Sequence, residues 1–401
     1  MGTGDILLGP FRVIEWPEGP GQYGRAQHQS TLEYFCLRWS TSLEQEVSML
    51  HVLAGGSGIN LLHWAQTVQG MGIMITDPSG PTLEELFCQN GRSFSIPTLL
   101  LLGCQIISRV QFIHSRGIIH GNLSPFAFAC GQKEWQKEQV LLVDYPTKTN
   151  ASTHDDLYAV GCILLYFYHK VNSWEEYQQD FPSGDMLPVL ETFFTLVSSP
   201  GPPDYSSLRG AFVDAYHHSI TQLGPYWEFG SGLICTQILF DNLNSTLSAI
   251  GKSSDTPHTP AVLESILGLF DRMLQIYKTL LFQDRPSQGK RSQVTGAHYL
   301  PNRLWRDLRW FIKRFTTEQV SFRYTVLARV YHFLCVLHDM VQPYQIYWTD
   351  YLLIMAKEWA DMDSGRRQEW NQTALYWRDV QNELKAASSP LRLDSKIRGA
   401  I

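Results

Sequence analysis

The hydrophobic period of the chain changes near residue 80, and that change limits the fold more tightly than anything else in the sequence. Ahead of it, Phe11-Arg12-Val13-Ile14, Tyr34-Phe35-Cys36-Leu37-Arg38-Trp39 and Gly72-Ile73-Met74-Ile75 are short, rich in aromatic and aliphatic side chains, and bounded by glycine or proline, which predicts strands. One helix over 43–53 is expected between the second and third, stopped at Gly55-Gly56. From Leu83 the apolar residues recur at three and four: Leu99, Leu102, Ile106, Val110 and Ile113 share one face of a helix that ends before Gly117. A short strand at Ile118-Ile119, another at 140–143 and a buried helix over 157–168 follow. A strand-rich segment with one helix, then a helical segment, is an α+β arrangement with its cleft near 76–82.

Past about residue 230 the pattern tightens. Leu263, Leu267, Phe270, Leu274, Tyr277 and Leu281 alternate steps of four and three, as do Leu327, Val330, Leu334, Leu337 and Val341 behind Arg323. Trp348, Leu352, Met355 and Trp359 repeat this spacing, as do Trp370, Thr373, Trp377, Val380 and Leu384. Such narrow seams are those of helix bundles, so 230–401 is expected to be an all-α C-terminal extension. The polar stretches 252–260 and 285–296 are expected to be loops.

Composition narrows the class. Apolar residues make up 44 % of the 401 and charged ones 17 %, a globular balance, and the net charge of −6 supplies no global positive field for nucleic acid or membrane. The seven cysteines, at 36, 88, 104, 130, 162, 235 and 335, are odd in number and lack zinc-ligand spacing. The start of the chain shows no signal-peptide pattern, and the longest apolar run, 159–168, is too short to span a bilayer. The expectation is an intracellular protein, cytoplasmic or nuclear, that meets no membrane.

An ordered series of motifs says more. Gly19-Pro20-Gly21-Gln22-Tyr23-Gly24 has the spacing of a glycine-rich phosphate loop, Arg38 stands on the strand after it, and Glu46 on the following helix. Then come Leu53-Ala54-Gly55-Gly56-Ser57-Gly58-Ile59, Gly80-Pro81-Thr82-Leu83-Glu84-Glu85-Leu86-Phe87, the segment 105–115, Asp155-Asp156-Leu157 and Pro203-Asp204-Tyr205-Ser206-Ser207-Leu208-Arg209. Over residues 10–229 this series resembles the casein kinase 1 type of protein kinase domain. The resemblance implies a bilobal protein-kinase-like fold: a strand-rich N-lobe over 1–78 and a helical C-lobe over 79–229. Asp77 and Ser79 would lie at the hinge beside the adenine. No cofactor is certain; a nucleotide held there would be ATP, without magnesium, and an empty or metal-free site is the favoured reading.

The chemistry departs from the family. The segment that resembles the catalytic loop reads His120-Gly121-Asn122-Leu123-Ser124-Pro125-Phe126-Ala127. Asn122 replaces the aspartate that accepts the substrate proton, Ser124 the lysine that neutralises the transferring phosphate, and Ala127 the asparagine that holds magnesium. Loss of the base alone costs ~10²- to 10⁴-fold in rate. Asp144-Tyr145-Pro146 keeps the metal-binding carboxylate but puts proline where the family has a flexible glycine. Asp144 would thus be the single metal ligand left, too few for magnesium. It lies eleven positions before Asp155, where the family has a far longer activation segment, so most of that segment is missing.

The resemblance therefore implies a pseudokinase, a scaffold or regulatory binding protein. A divergent active serine/threonine kinase and a nucleotide-binding switch without catalysis are the alternatives. Gly19, Gly21 and Gly24 either cradle phosphates or only serve a tight turn. Arg38 either contacts nucleotide or locks the first lobe through Glu46, and the lock is the favoured reading. Asp156 would brace the catalytic loop, with His120 and Tyr145 packed into the core between the lobes.

Residues 285–330 hold ten lysines and arginines against Asp307 and Glu318. Arg303, Arg306, Arg309 and Lys313 fit one helical face. They are a candidate docking site for an acidic or phosphorylated protein partner of the extension; nucleic acid is disfavoured, and a solvated or internally paired face is the plainer reading. Of the tryptophans at 305, 310, 348, 359, 370 and 377, most are expected in the seams and one or two as exposed anchors.

Overall fold

Alternation along the early strands decides what the first sheet buries. In a computed structural model, which describes residues 6–18, 23–40, 43–68, 71–145, 150–171, 188–222, 242, 244–249, 259–283, 299–315, 320–341 and 344–387, the chain is α+β and divides into two compact units, Met1–Cys235 and Thr236–Ile401.

The first unit opens with strands β1 (Leu7–Leu8), β2 (Phe11–Glu15), β3 (Tyr23–His28) and β4 (Tyr34–Ser40). Helix α1 (Leu43–Val52) follows, then β5 (Leu62–Val68) and β6 (Met71–Thr76). The sheet order is β1-β2-β3-β4-β6-β5, antiparallel throughout. Phe35 and Leu37 of β4, with Ile73 and Ile75 of β6, point to one face and pack with Phe11, Val13 and Ala26. Cys36, Arg38, Met74 and Thr76 therefore face the other way, and the register sets Cys36 opposite Thr76 and Arg38 opposite Met74.

A second sheet, in the order β7 (Ser79–Thr82), β8 (Phe128–Gly131) and β9 (Val140–Leu142), adjoins α2 (Leu83–Gln89). Thr82 and Glu85 start α2 with reciprocal side-chain-to-backbone hydrogen bonds. Helix α3 (Ile96–Ser115) packs against β9, α4 (Thr153–His169) and α6 (Tyr205–Gln222), and α5 (Pro188–Val197) against α4 and α6. By length and hydropathy α3 would suit a bilayer, but 61 % of its apolar window is buried inside the protein, as suits a core helix.

The expected strand at Ile118-Ile119 does not form. The Ile118 N–H donates to the Ile113 carbonyl at 3.0 Å, closing the end of α3 instead of entering a ladder. Strands β3, β5, β7 and β8, not foreseen as strands, carry Gln27, Gln66, Gly80 and Gly131, which break the apolar alternation. Pro260 lies inside a helix, not a loop, while 252–258 and 285–296 fall outside the described residues.

The second unit is helical where described: α7 (Pro260–Gln283), α8 (Tyr299–Phe315), α9 (Val320–Met340), α10 (Gln345–Met362) and α11 (Arg367–Ala387). Its core is aromatic. Trp359 stacks on Trp370 at 4.9 Å, Tyr331 meets Trp370 edge-on at 5.3 Å, and the Trp377 indole donates to the Tyr331 hydroxyl at 2.7 Å. Trp348, Trp359, Trp370 and Trp377 are core, whereas Trp310 is 41 % exposed.

Candidate functional site

Strand alternation and the α1 start bring the first pair of site residues together. Arg38 leaves β4 on the face away from the sheet core, Glu46 lies in the first turn of α1, and the Arg38 guanidinium donates to the Glu46 carboxylate. Both side chains are more than four-fifths buried. Burial pushes the Glu46 carboxyl up, and the Arg38 charge works against that rise. Tyr23, paired with Arg38 across β3 and β4, lays its ring 5.2 Å from the guanidinium carbon. Arg38 thus has a carboxylate and an aromatic face as partners within the unit.

From the other side, Tyr145 follows β9 and is buried, its hydroxyl donating to the Leu142 carbonyl at 2.8 Å. Burial raises its phenol well above the ordinary tyrosine range. Cys36, whose thiol burial pushes up to about 11, and Met74 complete the wall. The cavity left among Tyr23, Cys36, Arg38, Glu46, Met74 and Tyr145 measures about 20 Å³. That holds about one water molecule, whereas cofactor clefts run to roughly 300–1,000 Å³.

Asp77 and Ser79 line the same small cavity, whereas Asp144 and Gly24 do not. The Asp77 carboxylate accepts from the Leu61 N–H at 2.9 Å and meets His63 at 2.7 Å, which ties it to the sheet. Ser79 pairs with Gly131 in the second sheet. Asp144 is exposed, and one of its oxygens accepts from the Tyr145 N–H at 3.0 Å. Among the described residues no group of three or more histidine, cysteine or acidic side chains is placed to hold a metal ion. Gly19, Gly21 and Pro146 lie outside the described residues. Gly24 is a packing glycine: a Cβ there would sit 2.3 Å from the Glu15 carbonyl oxygen and 2.6 Å from Pro17 Cδ.

The segment 120–127 hangs on Asp156. The His120 and Gly121 amides donate to its carboxylate at 2.7 and 2.6 Å, and His114 Nε2 lies 2.8 Å away. His120 is buried, with Nε2 3.1 Å from the Asp144 carbonyl, and so ties the loop to the segment after β9. Asp155 caps α4 through Ser152. Asn122 is exposed, Ser124 half-buried, and Ala127 fully buried. No carboxylate stands at 122 and no amide or amine at 127 or 124.

Sequence reasoning found Arg38, Glu46, Asp156, His120 and Tyr145 but not Tyr23 and Cys36 as the groups that close the cleft. Tyr23 stands opposite Arg38 only through the β3–β4 register, which no local pattern announces.

In the second unit the basic face of α8 is largely paired. Arg303 donates to Asn244 at 2.7 Å and lies 3.9 Å from Asp307, Arg306 is 3.3 Å from Asp307, and Arg309 pairs with Glu358. Arg303 turns inward, so the four expected cations do not share one open face. No model of a known protein family matches the chain.

Proposed function

We propose that the chain is a pseudokinase of casein kinase 1 ancestry, with a bilobal kinase-like fold over 1–78 and 79–229, and that it works as a scaffold or regulatory binding protein. The carrying observation is the closed cleft. Arg38, Glu46, Tyr23, Cys36, Met74 and Tyr145 occupy the space where a kinase would seat ATP, leaving about 20 Å³. The Arg38–Glu46 pair stands where a kinase keeps its lysine–glutamate pair, and here the Tyr23 ring also lies against the guanidinium. The catalytic loop position holds Asn122, whose amide is no base, and the metal position holds the buried methyl of Ala127. The frame around the loop survives in Asp156, consistent with a fold kept for binding after its chemistry was lost. The helical unit is the part we assign to the protein partner.

Phosphotransfer tests this reading. The full chain, given radiolabelled ATP, magnesium or manganese and casein as acceptor, is expected to incorporate no more label than its Asp144→Ala variant. Incorporation that this substitution abolishes would identify an active divergent kinase instead.

A further inference from the structure

We propose that the outward face of α8 is a docking stripe for an acidic protein segment with an apolar anchor. The proposal deepens the reading of the chain as a binding protein and rests on it. Arg306, Arg309, Trp310 and Lys313 are exposed on α8, as is Asn302. At 100° per residue they fall within one stripe about 100° wide, and from 306 to 313 they run about 10 Å along the helix. The one acidic residue of α8, Asp307, is buried and takes hydrogen bonds from Tyr277 and Arg306, so the helix presents no carboxylate of its own on this face.

Two features distinguish the stripe from an ordinary solvated surface. Trp310 leaves 41 % of its surface in water although Trp348, Trp359, Trp370 and Trp377 of α10 and α11 are packed away, and tryptophan beside arginine is the composition of binding anchors. Lys313 is exposed and takes part in no ion pair among the described residues, so one cation remains available next to that ring. A carboxylate-rich segment complements the cations while an aliphatic or aromatic side chain covers the indole. Nucleic acid suits the stripe less well. Its three cations, two of them already paired with Asp307 and Glu358, are few beside the roughly 6–10 phosphate contacts of a nucleic-acid site.

The test uses the full chain and fluorescence anisotropy with a labelled peptide of glutamates around one central leucine. Binding is expected, is lost when glutamine replaces every glutamate, and weakens as salt is raised. Arg306→Gln combined with Lys313→Glu, and separately Trp310→Ala, should each weaken it at least about tenfold with an unchanged thermal midpoint. No binding of the glutamate peptide, or binding indifferent to these variants, would overturn the proposal. So would equal or tighter binding of single-stranded oligothymidylate that the same variants abolish, which would make the stripe a nucleic-acid site. None of these outcomes bears on the closed cleft, and phosphotransfer by the chain would leave the stripe untouched, so the two readings fail separately.

Discussion

Asp156→Ala is expected to destabilise the first unit by about 3–5 kcal/mol, because it strands several buried donors at once. The carboxylate takes the amides of His120 and Gly121 and faces His114 Nε2, and His114 in turn reaches the Tyr205 hydroxyl on α6. Asp156 and His120 are both buried, so water does not replace the lost acceptor. Burial pushes the Asp156 carboxyl up, but the hydrogen bonds from His114, Gly121 and His120 outweigh it and hold the group below its ordinary value of 3.8. A carboxyl depressed in the folded state contributes stability that is fully present above the unfolded value and is lost as pH falls through the folded one. The deficit of the variant should therefore be full near neutral pH and shrink below about pH 4. Urea unfolding followed by hydrogen exchange of peptides spanning 105–130, at neutral and acid pH, measures both. A deficit under about 1 kcal/mol at neutral pH would show that the loop does not hang on this carboxylate.

Gly58→Ala should cost a similar amount, about 3 kcal/mol or more, by a steric route. Gly58 has φ +71°, a left-handed conformation that a Cβ disfavours. A Cβ there would lie 2.2 Å from Arg109 Nε and 2.5 Å from the Val140 carbonyl oxygen. Neither neighbour is free to give way. Arg109 is fully buried and donates to that carbonyl at 2.9 Å, while the Gly58 carbonyl accepts from Leu142 at 2.9 Å. The substitution wedges β9 and Arg109 away from the Gly58 segment, just ahead of the stretch that carries Asp144 and Tyr145. The same unfolding measurement should place Gly58→Ala well below the parent. Gly91→Ala, at φ +65° with nothing within 4 Å, pays only the backbone strain and should lose about 1 kcal/mol.

The main architecture was legible because the hydrophobic period is a local signal. Phe35 and Leu37 alternate and face the sheet core, and Leu99, Ile106, Val110 and Ile113 recur at helical spacing and are buried in α3. The strands that escaped notice, such as β5 and β8, are defined by their neighbours rather than by their own pattern. The Arg38–Glu46 pair and the bracing role of Asp156 were legible only through the resemblance to casein kinase 1-type domains. The stacking of Tyr23 over Arg38 was not, since it depends on the β3–β4 register. On α8 the four basic positions were expected on one open face, but Arg303 is held by Asn244 and Asp307, partners that the helical spacing alone does not announce.

The closed cleft is the claim on which the functional reading stands, and nucleotide binding tests it most directly. The full chain would be titrated with ATP to 10 mM, with and without magnesium, and its thermal midpoint and binding heat recorded. A site with a Kd of about 0.1 mM would stabilise the fold by about 2.7 kcal/mol at that concentration. The account predicts no saturable heat and no shift of the midpoint. Saturable binding accompanied by stabilisation of that size, and removed by filling the cleft further with Cys36→Phe, would contradict it.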